Sequence, residues 1–171
     1  MKNLKNIHLN LINLFMPVGS LSFAWYLQLY QNVIPCSLCL LQRWGMYISL
    51  FFALAAIVST FLKLSKTAIA LTLVSIVGNI FSLTMAIRNV WLQTLPADKI
   101  PACGLDIETL LEVVPFLDAI KQTFQGSGEC AEKAWVFLGQ SLAVWATVFF
   151  TTYLILQIII LWKLIKRKNE Q

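Results

Sequence analysis

The sequence predicts an all-α membrane protein, a four-helix transmembrane bundle with a short amphipathic helix in a large outer loop. Two observations support this prediction. Of the 171 residues, 58% are hydrophobic and only 12% are charged, whereas a soluble domain has about 25% charged residues. The few charged residues are also clustered, which leaves four long stretches without any charge. We therefore predict that residues 1–171 form one integral membrane domain.

The four predicted spans follow the stretches that contain no charged side chain, with His8 taken as neutral, and only the second span contains a charged residue, Arg43, near its outer end. A membrane helix needs about 20 mainly apolar residues, and each stretch is that long or nearly so. The first span contains Pro17 and Gly19, which neighbouring helices can accommodate. Its length and the lack of an A-x-A-like site favour a retained helix over a cleaved signal peptide. We place the spans near residues 9–30, 42–62, 67–87 and 141–162.

The distribution of charge predicts the orientation of the chain. Basic residues collect at the N-terminus, in the second connection and at the C-terminus, and four spans place these three segments on one side. Segment 88–140 instead contains more acidic than basic residues. By the positive-inside rule, both termini are cytoplasmic and segments 31–41 and 88–140 are outside. The net charge of +5 then reflects orientation and contact with anionic lipid, and we predict no nucleic-acid site.

Segment 88–140 is too long for a simple connector, and its central part has a helical period. Apolar residues recur from Leu105 to Phe124 mostly three or four positions apart, with charged residues largely between them. This pattern predicts a short amphipathic helix, interrupted near Pro115, on the membrane surface. The alternative is a helix packed on the ends of the spans. A flexible Gly-Ser-Gly turn then leads to Cys130.

All four cysteines, Cys36, Cys39, Cys103 and Cys130, fall in the two outer segments. Disulfides persist outside the cytoplasm, so an even number of cysteines there indicates disulfide chemistry. Four cysteines allow three connectivities. We favour the pairing of Cys36 with Cys39 and of Cys103 with Cys130, because each pair then lies within one segment.

Residues 36–39 form a C-x-x-C motif at the start of the second span. The N-terminal end of a helix favours a thiolate over a thiol. Arg43 lies four residues beyond Cys39, and on a helix this spacing brings its positive charge to the same face. An arginine at the mouth of a span is costly enough to indicate a role. The alternative is that it snorkels to the outer interface.

Metal and haem binding fit this pattern poorly, and we predict no metal site. Leu40 follows the motif where haem attachment needs a histidine, and the only histidine, His8, is predicted to be cytoplasmic. A zinc site usually takes a second closely spaced pair, whereas Cys103 and Cys130 are far apart. This second pair is either a staple that stabilises the loop by about 2–4 kcal/mol or a disulfide presented to the thiolate of a partner.

Several motifs are shared with one known family. They are Pro35 to Arg43, Arg88 to Gln93, Pro101 to Gly104, Ser127 to Glu132, and Trp135 with Phe137 to Gly139. The first resembles the first periplasmic motif of the bacterial disulfide bond formation protein B (DsbB) family. The second and third resemble the start of the large periplasmic loop of that family, and the last two resemble the end of that loop. With the four-span layout, the resemblance covers nearly the whole chain.

The resemblance implies a protein-disulfide:quinone oxidoreductase of the bacterial inner membrane, with periplasmic cysteines. It would reoxidise a DsbA-like thioredoxin-fold oxidase and pass two electrons to membrane quinone, either ubiquinone or menaquinone, and so sustain disulfide formation in exported proteins. DsbA is a strong oxidant, so its reoxidation needs a still more oxidising acceptor. Cys103 would receive the attack of reduced DsbA, and Cys130 would then attack the bridge at Cys36. Cys39 would face the quinone, and Arg43 would stabilise the Cys39 thiolate and the developing charge on a quinone oxygen.

One departure from the family pattern concerns a histidine early in the large loop, which has been considered near the quinone. Segment 88–140 contains no histidine, and Thr94 stands in that general region. Three alternatives remain open at this point. They are a paralogue that serves another DsbA-like partner, a relative of the vitamin K epoxide reductase type, and a non-enzymatic four-span scaffold with structural disulfides.

Overall fold

The computed structural model of the protein describes residues 2–100, 115–132 and 135–169. Its elements are α1 (Lys2–Tyr30), α2 (Ser37–Phe61), α3 (Ser65–Leu92), a 3₁₀ turn (Ala97–Lys99), α4 (Phe116–Gln125), α5 (Gly128–Ala131), β1 (Val136–Phe137), β2 (Gln140–Ser141) and α6 (Leu142–Asn169). Within the described ranges, α2, α3 and α6 are long and apolar enough to cross a membrane. The predicted class, an all-α membrane protein, is confirmed. The role of α1 as a fourth span and the bounds of the spans in a bilayer stay predictions.

The helices α2 and α3 pack most closely, because small residues line their contact. A Cβ atom built on Gly45 would lie 2.3 Å from Ser82 Oγ and 2.8 Å from the carbonyl oxygen of Gly78. Only glycine therefore permits this approach of the two backbones. The short distance also allows a hydrogen bond between the helices, in which Ser82 Oγ donates to the carbonyl oxygen of Gln42 at 2.8 Å.

A buried polar cluster joins α6 to this pair. Gln157 Nε2 donates to Ser75 Oγ at 2.9 Å and to Ser49 Oγ at 3.1 Å. Asn79 Nδ2 donates to Gln157 Oε1 at 3.0 Å. An unsatisfied polar group is costly in hydrocarbon, so these hydrogen bonds favour one register of the three helices.

The helix α1 continues through Pro17, as the sequence analysis expects of a membrane helix with polar support from its neighbours. Proline has no N–H, so the carbonyl of Asn13 loses its helical donor. Tyr153 on α6 donates its hydroxyl to that carbonyl at 3.2 Å. Elsewhere α1 and α6 contact each other sparsely, and the space between them becomes part of a cavity.

The amphipathic helix predicted in the outer segment is present after Pro115 as α4. Its predicted N-terminal part falls within residues 101–114, outside the described residues. The C-terminal end of α4 packs on the bundle, since the rings of Phe81 and Phe124 contact edge to face with their centroids 6.0 Å apart. Arg88 donates from Nε and Nη2 to the carbonyl of Gln125 at 3.2 and 2.9 Å. The C-terminal end of α4 therefore packs on the ends of the long helices, which was the alternative to a helix lying on the membrane surface.

Candidate active site

The C-x-x-C motif occupies the N-terminus of α2. Cys36 is the N-cap residue, with an extended backbone (φ −68°, ψ 167°), and its carbonyl accepts from the N–H of Leu40 at 3.1 Å. Cys39 lies in the first turn, which brings its Sγ to 2.9 Å from Sγ of Cys36. The motif therefore coincides with the beginning of the helix, where the sequence analysis placed it.

Cys130 is brought to this motif from the other outer segment. Gly126 has φ +78°, and a Cβ atom there would lie 2.7 Å from Cδ1 of Leu92 and 2.9 Å from Cδ1 of Leu38. The chain can therefore turn tightly against the bundle into α5. Cys130 on α5 is 1% exposed and packs in one cluster with Cys36.

The three described thiols lie together. The side chain of Cys130 packs with that of Cys36 in one buried cluster, and its Sγ is 3.7 Å from Oγ of Ser37. Cys36, Cys39 and Cys130 are all present as free cysteines. Two segments that are distant in sequence thus bring three sulfur atoms to one place.

The environment of the cluster holds Cys36 and Cys130 in the thiol form. The hydrogen bond with Cys130 lowers the pKa of Cys36, but the hydrogen bond with Cys39, burial and the charge of Cys39 outweigh it and raise that pKa to about 12. The hydrogen bond with Cys36, followed by burial, raises the pKa of Cys130. The expectation that the helix N-terminus favours a thiolate is therefore wrong for Cys36, because Cys39 and burial together have the larger effect on its pKa.

Arg43 lies one turn beyond Cys39 and bonds to α1. Its Nη2 donates to the carbonyl of Ala24 at 3.1 Å, and its Nη1 donates to Oε1 of Gln28. The guanidinium carbon lies 5.6 Å from the ring centroid of Trp25. These contacts fix the side chain among helices instead of letting it snorkel freely, and its positive charge acts on the Cys39 sulfur.

A cavity of about 630 Å³ borders the cysteine cluster. Its wall includes Cys36, Cys39, Cys130 and Arg43, together with the buried amides Gln42 and Asn89. The rest is mainly apolar and aromatic and comes mostly from α1, residues 33–35, the Trp135–Phe137 region and α6, with Glu129 and Glu132 as acidic members. An apolar chamber with a few polar groups is the usual setting for a small, largely apolar organic ligand.

The described residues place Cys36, Cys39, Cys130 and Arg43 at one cavity, whereas Cys103 lies outside the described residues. Thr94 does not line the cavity, and its Oγ1 donates to the carbonyl of Trp91 at 2.7 Å. Within residues 2–100, 115–132 and 135–169, no group of three or more His, Cys, Asp or Glu side chains is arranged to hold a metal ion.

Sequence reasoning missed Asn89 as a site residue. Its Nδ2 lies 3.5 Å from Sγ of Cys39 and 3.8 Å from Sγ of Cys36. A signal was available, because α3 has a stripe of small or polar residues at helical spacing. The stripe consists of Thr72, Ser75, Asn79, Ser82 and Asn89, and all five are buried. Such a stripe in an apolar helix marks a face that contacts protein.

A helical membrane bundle with clustered thiols beside an apolar cavity defines a class, the membrane proteins of thiol–disulfide redox chemistry. The family profile described as "Disulfide bond formation protein DsbB" matches residues 6–160. The chain belongs to the DsbB family and has a redox role in disulfide formation, which involves exchange with a partner.

Curated relatives agree with this assignment. The chain is 38% identical over 162 residues to disulfide bond formation protein B of Psychrobacter sp. (strain PRwf-1), covering 94% of each chain. It is 38% identical over 150 residues to the protein of the same name from Acinetobacter baylyi, covering 88% of this chain and 85% of that one. It is also 35% identical over 154 residues to the Nitrosococcus oceani protein, covering 90% and 88%.

Proposed function

We propose that this protein reoxidises a DsbA-like periplasmic oxidase by disulfide exchange and transfers the two electrons to membrane quinone. The observation that supports this most strongly is the contact between Cys130 and Cys36. A scaffold with two independent staples has no use for a third sulfur beside the first pair. A relay needs that arrangement, because thiol–disulfide exchange requires one sulfur to reach another.

The exchange begins at Cys103. Reduced partner attacks the Cys103–Cys130 disulfide at Cys103, which forms a mixed disulfide and releases Cys130 as a thiolate. The second thiol of the partner resolves the mixed disulfide and leaves Cys103 reduced. The partner is thereby oxidised, and its two electrons are on this protein.

The second exchange takes place inside the cysteine cluster. The thiolate of Cys130 attacks Sγ of Cys36, and the Cys36–Cys39 bond breaks with its electron pair on the Cys39 sulfur. In the reduced protein the hydrogen bond with Cys36 and then burial raise the pKa of Cys130. Burial acts on the released Cys130 thiolate as well, and this favours prompt attack on the neighbouring sulfur. Arg43 supplies a positive charge toward the thiolate of Cys39.

The cavity has the features that a quinone ring requires. Its wall is mainly apolar and aromatic, and Arg43, Gln42 and Asn89 line it together with the cysteine cluster. Nε2 of Gln42 is buried and has no hydrogen-bond partner among the described residues, so a donor is available for a carbonyl oxygen. A bound quinone would supply the two-electron acceptor. The chain's own residues bind the ring, exclude water and hold Cys39 toward it.

The same proposal includes the inner membrane as location, with cytoplasmic termini and periplasmic cysteines. The last turn of α6 contains Lys166, Arg167 and Lys168, whereas the cysteine cluster lies at the opposite end of that helix, near Ser141. Basic residues are retained on the cytoplasmic side, and a disulfide relay needs an oxidising compartment.

The test is turnover by the purified protein. Reduced DsbA and a short-chain ubiquinone are mixed with the protein, and loss of quinone absorbance is followed. We expect quinone reduction that is abolished by Cys36→Ser, Cys39→Ser, Cys103→Ser or Cys130→Ser. Thr94→Val is the control and should turn over normally, since Thr94 does not line the cavity. Normal turnover of the Cys39→Ser protein would rule out the proposed relay.

A further inference from the structure

Asn89 is buried at the cysteine cluster in an unusual way. It is 3% exposed, and its Nδ2 approaches the sulfurs of both Cys39 and Cys36, at 3.5 and 3.8 Å. Its Oδ1, by contrast, is buried with no hydrogen-bond partner among the described residues. Buried polar atoms are nearly always paired, so an unpaired oxygen needs an explanation. The contacts of the carboxamide N–H group with the two sulfurs explain its orientation, which leaves the carboxamide oxygen without a hydrogen bond.

We propose that Asn89 is a hydrogen-bond donor to the leaving sulfur of the Cys36–Cys39 bridge. The inference rests on the relay proposed above. When the Cys130 thiolate attacks Cys36, the Cys130–Cys36 bond forms and the Cys36–Cys39 bond breaks, leaving its electron pair on Cys39. One thiolate enters the step and one leaves it, so no proton is exchanged. The N–H of Asn89 then bonds to a full negative charge, and such hydrogen bonds are about twice as strong as neutral ones.

The other groups near Cys39 cannot donate to it in this step. In the reduced protein the thiol of Cys36 is hydrogen-bonded to Cys39, but once Cys36 is bonded to Cys130 neither has an S–H to donate. Arg43 acts on Cys39 through its charge. The guanidinium of Arg43 donates to Gln28 and Ala24 on α1. Asn89 comes from α3 and donates directly to the sulfur. The two residues therefore stabilise the thiolate from different helices, one by charge and one by a hydrogen bond.

The experiment measures the thiolate of Cys39 without any partner or quinone. Serine replaces Cys36, Cys103 and Cys130, so that Cys39 is the only thiol, and its alkylation by iodoacetamide is followed as a function of pH. Only the thiolate reacts. We expect Asn89→Ala to lower the rate at pH 7 about tenfold, the loss typical of a hydrogen bond to a charged group. The difference should vanish at high pH, where the thiol ionises in both proteins.

Two further variants keep the test decisive. Asn89→Asp preserves the size of the side chain but removes the N–H and adds negative charge, so the rate at pH 7 should fall at least as far. Asn79→Ala is the matched control, because Asn79 is equally buried on α3 but bonds to Gln157 and Phe150. The proposal is overturned if both Asn89 variants follow the parent profile, or if Asn79→Ala displaces it equally. Because quinone and DsbA are absent, this result is separate from the fate of the proposed relay.

Discussion

Arg43 shows how one side chain can combine anchoring and chemistry. It begins on α2 one turn beyond Cys39 and ends in hydrogen bonds to Ala24 and Gln28 on α1. A guanidinium suits this position because its planar fork presents several donors at once, whereas an ammonium is a compact point charge. The residue therefore ties α2 to α1 at the cavity wall and places a permanent positive charge that acts on the Cys39 sulfur.

Arg43→Ala should weaken quinone reduction more than exchange with DsbA. Loss of a positive charge near the Cys39 thiolate removes about 1.4 kcal/mol of stabilisation, the low end of such effects, and this corresponds to a fall of roughly tenfold in the rate of quinone reduction. Single-turnover exchange with reduced DsbA should change only slightly, because it begins at Cys103. Stopped-flow measurement of the two half-reactions separates them, with Lys66→Ala in the distant first turn of α3 as a neutral control. Equal loss of both rates would contradict the placement of this charge.

The pKa of Cys130 provides a second prediction for a single residue. Its hydrogen bond with Cys36 is the first cause of its raised pKa, and a raised pKa means less thiolate at a given pH. Removing Cys36 should therefore lower that pKa and shift alkylation of Cys130 to lower pH. The pH profile of iodoacetamide labelling in fully reduced Cys36→Ala and parent proteins, quantified by mass spectrometry, measures this change. An unshifted or higher midpoint in Cys36→Ala would show that Cys36 does not hold the thiol in its protonated form.

At the scale of elements, the pair of α2 and α3 is the rigid support of the site. Cys36 and Cys39 lie at the start of α2, and Asn89 lies near the end of α3, so their separation depends on how closely the two helices pack. Gly45 and Gly78 set that approach, since a side chain at either position would meet the opposite backbone within 3 Å. The contact is a small-residue interface of the kind that membrane helices use.

Gly45→Ala should destabilise the bundle by about 1–3 kcal/mol, the usual cost of overpacking. Its Cβ would lie 2.3 Å from Ser82 Oγ and 2.8 Å from a carbonyl oxygen that cannot rotate away. Thermal unfolding in detergent measures the effect. Gly19→Ala on α1 is the matched control, because a Cβ there meets no heavy atom within 4 Å, and alanine should leave stability unchanged or slightly higher. Equal melting temperatures for the two variants would contradict the close packing.

Local patterns made much of the fold and half of the site predictable. The stretches without charged residues predicted the long helices, because charged side chains are unfavourable in hydrocarbon. The spacing of four residues from Cys39 to Arg43 predicted that the two side chains share one face of a helix. The approach of Cys130 to Cys36 was not predictable in this way. It depends on Gly126 fitting against Leu38 and Leu92 and on Arg88 holding the end of α4, and these contacts join residues far apart in sequence.

The hairpin before α6 was missed for a different reason. Its strands, β1 and β2, have two residues each, too few to show an alternating pattern. Leu138 and Gly139 form its turn with positive φ values of 50° and 76°. Only the glycine is a recognisable turn signal. The contact of Asn89 with the sulfurs of Cys36 and Cys39 was also not predictable. The polar stripe on α3 indicates that one face is buried, but it does not indicate which residues that face contacts.

At the scale of the whole molecule, the bundle brings cysteines from two distant segments of the chain to one apolar cavity. Cys36 and Cys39 lie at the start of α2 and Cys130 lies on α5, while residues of α1, α2, α3 and α6 contribute to the cavity wall. In the proposed relay, electrons would move by short exchanges between neighbouring sulfurs. This arrangement makes the contact between Cys130 and Cys36 the centre of the proposed relay.

The most direct measurement is a disulfide map of the protein quenched with acid during reaction with reduced DsbA in the absence of quinone. With no acceptor present, electrons should stop on Cys39, and peptides joined by a Cys36–Cys130 disulfide should accumulate. The Cys36→Ser protein is the control and should yield no such link. If DsbA has become oxidised while the quenched protein keeps the Cys36–Cys39 bridge and contains Cys103 and Cys130 as free thiols, the relay through Cys130 and Cys36 is contradicted.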